Sequence, residues 1–501
     1  MALAVLNTRA QLGVSAPPVS VEIHLSGGLP CFAIVGLPEA AVRESRERVR
    51  SALLNSGFDF PARRITVNLA PADLPKEGGR YDLAIALGIL LASDQIKVNR
   101  HQTFEFMAEL GLGGELRPVR GVLPAALACQ RTGKGCWVAQ ENVAEASLVD
   151  DLAVYSAADL LSVCNRLADE QKCLPAIAEN ICVQPAEIAD MADVKGQHQA
   201  RRALEVAAAG GHNILFAGPP GSGKSMLASR LPGILPALSR HNLLETAAIY
   251  SVAGLDPSKL LAGIRPFRAP HHTASSVALV GGGSRPRPGE ISLAHQGVLF
   301  LDELPEFPRS VLEVLREPLE SGKVEVSRVA QQLSFPARFQ LVAAMNPCPC
   351  GFMGDPDGRC RCTPDQVRRY QHKISGPLMD RIDLFAWVAG LPAEQLLAKE
   401  RGESSAAIQE RVMLAYERQL QRQGCRNAEL SANDLEVYCA LGVPEQTMLI
   451  NAVKRLKLSA RAAHRVLKVA RTIADLNQTD VIGEAALLEA LGFRFSGKEM
   501  D

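Results

Sequence analysis

Apolar and polar positions alternate with two different periods through the first 170 residues. Runs with a period of two, which indicate strands, take turns with runs of helical period. The strand-like runs are Val19–Leu25, Arg64–Leu69 and Cys136–Val138, and the helical runs are Glu39–Ser56, Tyr81–Ala92 and Leu123–Arg131. The pattern predicts an α/β or α+β domain over residues 1–170.

Two changes of pattern divide the rest of the chain. Residues 171–187 lack clear periodicity, which is typical of a linker. Residues 188–390 repeat a strand, loop, helix order, which predicts a parallel sheet with helices around it. Residues 391–501 are helical in pattern, with breaks expected only at 442–444 and 458–459. We therefore predict an α/β protein with a parallel-sheet core and an all-helical C-terminal domain.

The composition is that of a soluble globular protein. Hydrophobic residues make up 47% of the 501 residues and charged residues 22%. Lys plus Arg and Asp plus Glu each number 54, which excludes a globally basic nucleic-acid binder but leaves room for a local basic channel. No apolar run approaches a membrane span, and the N-terminus lacks the features of a signal peptide. We expect a cytoplasmic protein that does not associate with a membrane.

A glycine-rich stretch between an apolar run and a helical start carries the first candidate chemistry. It matches GxxxxGK[ST], a loop whose backbone N–H groups surround an anion. We expect Lys224 to reach the β- and γ-phosphates of ATP, and the Ser225 hydroxyl to bind Mg²⁺. The loop consists of Gly218, Pro219, Pro220, Gly221, Ser222, Gly223, Lys224 and Ser225. An ordinary Gly/Pro turn is the alternative, and both flanks argue against it.

Polar residues end two further apolar runs. The run that begins at Gly297 ends in Asp302 and Glu303, as expected of a buried parallel strand that delivers acids to its carboxyl end. Asp302 is expected to hold Mg²⁺ and Glu303 to polarise the attacking water. The run 341–345 ends in Asn346, which can orient water against the γ-phosphate. A turn-forming Asn before proline is the alternative for Asn346.

These motifs, together with five further segments, resemble the magnesium-chelatase-like AAA+ family, and most closely its ComM/YifB branch. The further segments are Val35–Glu39, Pro71–Asp82, Phe267–Thr273, Pro288–His295 and Leu312–Glu320. The resemblance spans essentially the whole chain. It implies a P-loop AAA+ core, a helical lid over 391–501, a first domain of the Lon-protease C-terminal (ribosomal S5) type, and assembly into a ring, as a homo-hexamer.

The resemblance also implies three residue roles. Asn346 matches the sensor-1 position, Arg461 matches the sensor-2 arginine, and Arg381 matches an arginine finger that acts on the ATP of a neighbouring subunit. For Arg381, the alternative is a local ion pair with Asp380 or Asp383.

The helix that starts near Ser459 has two differently composed faces. Helical spacing places Arg461, Arg465 and Lys468 on one face, and apolar side chains on another. For Arg465 and Lys468 we prefer a plain solvated basic face. The apolar positions are Ala462, Val466, Val469 and Ile473.

The resemblance to Lon proteases does not extend to their catalytic pair. The matching stretches, 78–82 and 120–124, contain neither the nucleophilic serine nor the lysine base. Since peptide cleavage needs an activated nucleophile, we expect a non-proteolytic scaffold or a DNA-contacting platform.

The family resemblance implies a ring-shaped DNA translocase that migrates branched DNA in recombination and natural transformation. Its DNA contacts are expected from the insert 267–287 and from a hairpin with strands near 323–326 and 331–335, whose tip carries Arg328. Solubilising charges are the alternative for Lys323 and Arg328. Two other functions stay open: the motor subunit of a magnesium chelatase, and a protein-remodelling regulatory ATPase.

Four cysteines form a cluster after Asn346. Two CxC pairs are separated by nine residues, which form a glycine-rich loop. Four thiolates can close a structural tetrahedral Zn²⁺ site. Redox-sensitive or merely buried thiols are the alternative. The residues are Cys348, Cys350, Cys360 and Cys362.

Overall fold

The chain divides into two compact units. The computed structural model describes residues 2–169, 171–177, 189–283, 286–328, 331–354, 358–390 and 401–494. The first unit comprises Met1–Val183 and Leu243–Ser258, and the second comprises Gln184–Asn242 and Lys259–Asp501. The excursion of Leu243–Ser258 into the first unit was not predicted. The predicted linker is described only over 171–177, and the predicted boundary at 391 lies outside the described residues.

A seven-stranded mixed sheet forms the centre of the first unit, in the order β3-β4-β2-β1-β5-β8-β9. Strands β1, β2 and β4 pair antiparallel, while β5, β8 and β9 continue from β1 in parallel. The strands are β1 Ala2–Arg9, β2 Pro18–Ser26, β3 Cys31–Val35, β4 Arg64–Ala70, β5 Phe104–Met107, β6 Glu109–Leu110, β7 Leu116–Arg117, β8 Gly135–Val138 and β9 Val154–Ser156. The helices are α1 Ala40–Arg43, α2 Ser45–Asn55, α3 Asp82–Ala92, α4 Val122–Arg131, α5 Val143–Ala146 and α6 Leu160–Ala168.

Helix α3 is the most deeply buried element of this unit. All its residues except Leu91 are buried, and it packs against β1 and β2. Gly88 makes this packing close, because a Cβ there would lie 2.1 Å from the Cδ1 of Ile23. At its start, Asp82 accepts hydrogen bonds from the buried Ser45 hydroxyl and from Arg48 Nε, the latter at 2.7 Å. Burial raises the pKa of the Asp82 carboxyl, against the opposing effect of these donors.

A five-stranded sheet in which all strands run parallel forms the core of the second unit. Its strand order is β11-β14-β17-β10-β18. The strands of this unit, including two small hairpins, are β10 Ile214–Ala217, β11 Phe267–Arg268, β12 Gly281–Gly282, β13 Arg287–Pro288, β14 Val298–Leu301, β15 Lys323–Arg328, β16 Gln331–Pro336, β17 Gln340–Met345 and β18 Leu384–Trp387. The predicted α/β class with a parallel core sheet is confirmed.

Helices connect the strands of this sheet along the chain, and most of α9 belongs to the first unit. Helix α7 packs against β18, and the loop 218–223 connects β10 to α8. Up to residue 390 the helices are α7 His198–Gly210, α8 Lys224–Arg230, α9 Arg240–Ala253, α10 Ser258–Leu261, α11 Ser276–Val280, α12 Glu290–Leu293, α13 Arg309–Glu313, α14 Arg316–Ser321, α15 Pro364–Gln371 and α16 Gly376–Met379. Single turns of 3₁₀ helix occur at His101–Thr103, Gln140–Asn142, Met191–Asp193, Leu231–Gly233, Leu304–Glu306 and Asn427–Glu429.

The described C-terminal residues are helical, as predicted, but contain more breaks. The helices are also interrupted at 424–431 and 477–483, in addition to the two expected breaks. The first interruption occurs because Gly424 ends one helix and Ser431 caps the next. The helices are α17 Ser405–Gln423, α18 Ala432–Tyr438, α19 Val443–Leu456, α20 Ala460–Leu476 and α21 Glu484–Gly492. Within the described ranges, no helix has both the length and the apolar content needed to cross a membrane.

A buried ionic cluster joins these C-terminal helices. Asp475 is 1% exposed and accepts hydrogen bonds from Arg422 at 2.6 and 2.9 Å, from Arg471 at 3.0 Å and from Asn427 at 2.8 Å. A buried carboxylate held by so many donors is stable only while all partners are present. The cluster therefore fixes α17, α20 and the connecting segment relative to one another.

We expect Asp475→Asn to destabilise the second unit by about 3 kcal/mol, because two guanidinium groups lose a buried counter-charge. Native-state hydrogen exchange of the α20 amides measures this free energy. Asp480→Asn is the matched control, since the Asp480 side chain is 95% exposed and its ion pair with Arg418 contributes little. Equal losses in the two variants would contradict the argument.

Candidate nucleotide site

The predicted phosphate-binding loop leaves the carboxyl end of β10, and α8 starts at Lys224. Gly221 and Gly223 adopt positive φ values of 75° and 95°, which L-residues rarely adopt. Gly218 is required for another reason, because a Cβ there would lie 2.1 Å from the carbonyl oxygen of Val388. The loop is therefore confined to glycine at the points where its backbone turns or touches the neighbouring segment.

Lys224 lies folded into this loop. Its Nζ donates to the carbonyl oxygens of Gly218 and Pro219, both at 2.8 Å, and to Asn346 Oδ1 at 3.2 Å. Burial lowers the pKa of Lys224, while Asp302 and Glu303 act in the opposite direction. The structure thus brings the predicted lysine and the predicted sensor asparagine into direct contact.

The two predicted carboxylates lie at the end of β14, two strands from β10. Ser225 Oγ donates to Asp302 Oδ2 at 2.6 Å, so both predicted Mg²⁺ ligands are adjacent. Two hard oxygen donors with space for water and phosphate oxygens fit Mg²⁺. Glu303 has a φ of 51°, a left-handed conformation that is uncommon for a glutamate and typical of functional sites.

Two residues near the site were not predicted as functional. Nδ1 of His272 lies 3.3 Å from Glu303 Oε2. Arg268 of β11 pairs with Leu299 of the parallel strand β14. His272 lies four positions after Arg268, and Glu303 lies four positions after Leu299, so the strand register brings them close. Gln197 donates from Nε2 to the carbonyl of Ala389 at 2.6 Å and to the loop carbonyl of Ser222 at 3.4 Å. Neither contact has a local sequence signal, since each depends on strand order.

The candidate finger Arg381 and the candidate sensor Arg461 line one cavity of about 600 Å³ at the opposite edge of the sheet. Asn213, which precedes β10, and Asp383, which precedes β18, line the same cavity. The length of the four-residue strand β10 separates this edge from the phosphate-binding loop, roughly 13 Å. Within one chain, the two arginines therefore lie apart from Lys224.

Arg381 is paired, but with neither of the predicted local partners. Its guanidinium donates to Glu320 and, at 2.6 Å, to the carbonyl of Pro377. Asp383 instead accepts from the backbone N–H of Asn213 at 3.0 Å and lies 3.5 Å from Arg465. The local-pair alternative for Arg381 is therefore wrong.

The preferred interpretation of Arg465 and Lys468 as solvated is also wrong. Arg465 donates to the carbonyl of Ile382 at 3.2 Å, and Lys468 donates to the carbonyl of Ala428 at 3.0 Å. Burial lowers the pKa of both groups. The apolar face of α20 is buried as predicted, at Ala462, Val466, Val469 and Ile473.

The four clustered cysteines converge on one point. Their sulfurs all lie within 4.8 Å of one another, and those of Cys348 and Cys350 are separated by 3.3 Å. The backbone N–H of Met353 donates to the Cys348 sulfur at 3.3 Å. The loop also touches the nucleotide site, because Gly351 packs against Pro220.

Comparisons with known proteins agree with this geometry. Three family models match: Magnesium chelatase, subunit ChlI, over 190–396; Subunit ChlI of Mg-chelatase over 21–142; and Magnesium chelatase, subunit ChlI C-terminal, over 402–494. Competence protein ComM of Haemophilus influenzae is 51% identical over 99% of this chain and 98% of its own length. Uncharacterized protein YifB of Salmonella typhimurium is 49% identical over 99% and 97%.

The chain belongs to the magnesium-chelatase-like AAA+ family, in its ComM/YifB branch. Membership of this ATPase family supports ATP and Mg²⁺ as its ligands. A more distant relative, the Magnesium-chelatase 38 kDa subunit of Cereibacter sphaeroides, is 26% identical over 31% of this chain and 51% of its own length.

For this AAA+ protein, we expect Gly351→Ala to weaken ATP binding several-fold. The added Cβ would lie 2.6 Å from Pro220 Cδ and displace the cysteine loop or the phosphate-binding loop. Isothermal titration with a non-hydrolysable ATP analogue measures the effect.

Gly354→Ala is the matched control for this change. Gly354 has a similar φ of 78° on the same loop, but none of the residues that the structure describes comes within 4 Å of its added Cβ. Both variants share the conformational cost, about 1 kcal/mol, so only Gly351→Ala tests the contact. Unchanged affinity in Gly351→Ala would refute it.

Proposed function

We propose that this protein is an ATP-hydrolysing ring motor that acts on DNA, as a branch-migration helicase in homologous recombination and natural transformation. The contact of Lys224 with Asn346, beside the Ser225 and Asp302 pair, carries the ATPase part of this proposal. These groups follow three adjacent strands, so they meet at the carboxyl edge of the sheet.

Each of these side chains has a distinct task in hydrolysis. Lys224 exchanges its loop carbonyls for β- and γ-phosphate oxygens, and Asn346 orients the attacking water. Glu303 accepts the proton of that water as it attacks phosphorus. Ser225 and Asp302 hold Mg²⁺, which supplies charge neutralisation at the phosphates when bound.

The position of the arginines supports assembly into a ring. Arg381 and Arg461 lie at the edge opposite the phosphate-binding loop, so they are available to the nucleotide of a second copy rather than their own. An arginine supplied in this way stabilises charge on the transferring phosphoryl group. A homo-hexamer is the assembly that family membership favours.

DNA as the substrate is supported by the relative named as a competence protein. Two elements suit a DNA-contacting role: the segment that leads from β11 to β13, and the hairpin of β15 and β16. Positions 284–285 and the hairpin turn 329–330 lie outside the described residues, as does the side chain of Arg328.

The first unit acts as a scaffold or DNA platform in this proposal. Its buried serine near the Lon-like segment, Ser45, is fully buried, and its hydroxyl donates to Asp82. Such a hydroxyl lacks the access to substrate that a nucleophile requires.

The motor subunit of a magnesium chelatase is the weaker candidate. Its support is the partial match to the 38 kDa subunit, which covers 31% of this chain, against 99% for the competence protein. A protein-remodelling ATPase is a further alternative, distinguished by an absence of stimulation by DNA.

We expect wild-type protein to migrate a synthetic four-way junction with ATP, and Lys224→Ala and Glu303→Gln to fail. Loss of the general base lowers the ATPase rate by about 10²- to 10⁴-fold. Lys454→Ala, which removes an exposed lysine from α19, is the control.

Single-stranded, duplex and branched DNA are added separately to the ATPase assay. If Lys224→Ala and Glu303→Gln both behave like wild type, the motor assignment fails. The DNA assignment fails if none of the three DNAs stimulates hydrolysis and none is shifted by the protein in a gel. The ATPase assignment stands in that case.

We further propose that Cys348, Cys350, Cys360 and Cys362 bind a structural Zn²⁺. A tetrahedral Zn–S length of about 2.3 Å requires sulfur separations near 3.8 Å. Cys360 lies 3.8 Å from Cys348 and 3.7 Å from Cys350. With four thiolates the site has no open position, so the metal would stabilise the loop that supports Asn346 and Pro220.

Metal analysis of protein purified without chelator is expected to give about one zinc per chain. The double variant Cys350→Ser with Cys360→Ser is expected to lose this zinc, whereas Cys31→Ser, at an exposed cysteine of the first unit, keeps it. Less than half an equivalent in the wild type would count against the site.

A further inference from the structure

The ends of the β15–β16 hairpin and the candidate arginine finger Arg381 line the same cavity. The cavity that holds Arg381 and Arg461 is also lined by 318–322, which leads into β15, and by Arg338 and Phe339, which follow β16. Both ends of the proposed DNA-contacting hairpin therefore border the position that a neighbouring nucleotide would occupy.

The two ends of the hairpin are tightly connected at this cavity. The backbone N–H of Ala337 donates to the carbonyl of Gly322 at 2.8 Å. Gly322 ends α14 with a φ of 67°, and a Cβ there would lie 2.8 Å from Arg338 Cγ. A displacement of α14 is therefore transmitted to both strands, because no free space separates their ends.

Glu320, in the last turn of α14, is the partner of the finger. Its carboxylate accepts from Arg381 Nη2 and is 62% exposed, whereas the Arg381 side chain is 10% exposed. The pair thus joins a mostly buried cation to an acid that faces solvent, three residues before β15 starts.

Two of the other three acids of the cavity are held by donors of the second unit. Asp383 is anchored by the N–H of Asn213 at 3.0 Å, and Glu429 by Arg426 at 2.8 Å. The lining contains six basic residues and the four acids Glu320, Asp380, Asp383 and Glu429, an excess of two positive charges. An incoming polyphosphate is attracted to this cavity, and Glu320, whose side chain is largely exposed and is paired with Arg381, has room to move away.

We infer that the Glu320 carboxylate pairs with the Arg381 guanidinium where a phosphate would otherwise bind. The triphosphate of a neighbouring copy then displaces this carboxylate and so moves the hairpin. This inference rests on the proposed function. Glu320 is a positioning residue in it: the side chain does not touch substrate, but it couples the nucleotide of one subunit to the DNA-contacting hairpin of the next.

The test compares Glu320→Gln with Glu317→Gln in the full chain. Glu317 is an exposed acid of the same helix, so both variants lose one charge from α14. Sedimentation velocity measures the protein concentration at which rings form, without nucleotide and with a non-hydrolysable ATP analogue. ATPase rates are measured with and without branched DNA.

With the analogue, Glu320→Gln is expected to assemble at about 2- to 5-fold lower concentration than wild type, the worth of an exposed ion pair. Without nucleotide it should match wild type, because the competition exists only when phosphate is present. Its DNA-free ATPase rate should rise, and its stimulation by DNA should fall. Glu317→Gln should match wild type throughout.

Assembly and ATPase rates of Glu320→Gln that equal those of Glu317→Gln would overturn the inference, as would loss of ATPase activity in Glu320→Gln. If DNA stimulates neither wild type nor variant, the DNA part of the proposed function fails. The nucleotide-dependent assembly midpoint still decides the role of Glu320 in that case.

Discussion

The direction of the strands in the parallel sheet of the second unit is the constraint on which the candidate chemistry depends. A parallel sheet has two unlike edges, since all carboxyl ends lie at one edge and all amino ends at the other. Lys224, Asp302 and Asn346 follow three neighbouring strands and meet at the carboxyl edge. Arg381 and Arg461 lie at the amino edge. In one chain, therefore, the two groups of proposed site residues lie at opposite edges of the sheet.

Buried polar contacts make the amino edge and the C-terminal helices one body. His212, which precedes β10, contacts the Thr472 hydroxyl at 2.8 Å and lies 3.7 Å from Asp383. Thr472 belongs to α20, the helix that carries Arg461, and it lies beside the Asp475 cluster. Since unpaired polar groups in such a network are costly, the positions of Arg381 and Arg461 are set together.

Much of the fold could be predicted from local patterns. The strand and helix runs of the first unit, the phosphate-binding loop and the buried face of α20 depend on periodicity or on a contiguous motif, and short stretches of chain contain that information. The breaks around Gly424 and Ser431, and the inclusion of Leu243–Ser258 in the first unit, were not predicted. Helical segments joined by short polar turns look continuous in a periodic pattern, and a segment's packing partner has no local signal.

The sequence by itself determined the candidate residues for nucleotide binding, because glycines, a lysine and carboxylates at fixed offsets from apolar runs are typical of that chemistry. Only the tertiary structure decided what those residues touch. Arg465 and Lys468 appear solvated on a helical projection, yet each reaches a carbonyl of another segment. The partner of Arg381 is Glu320, 61 positions earlier in the chain. Such contacts are set by strand order and helix packing, which bring together residues that are distant along the chain.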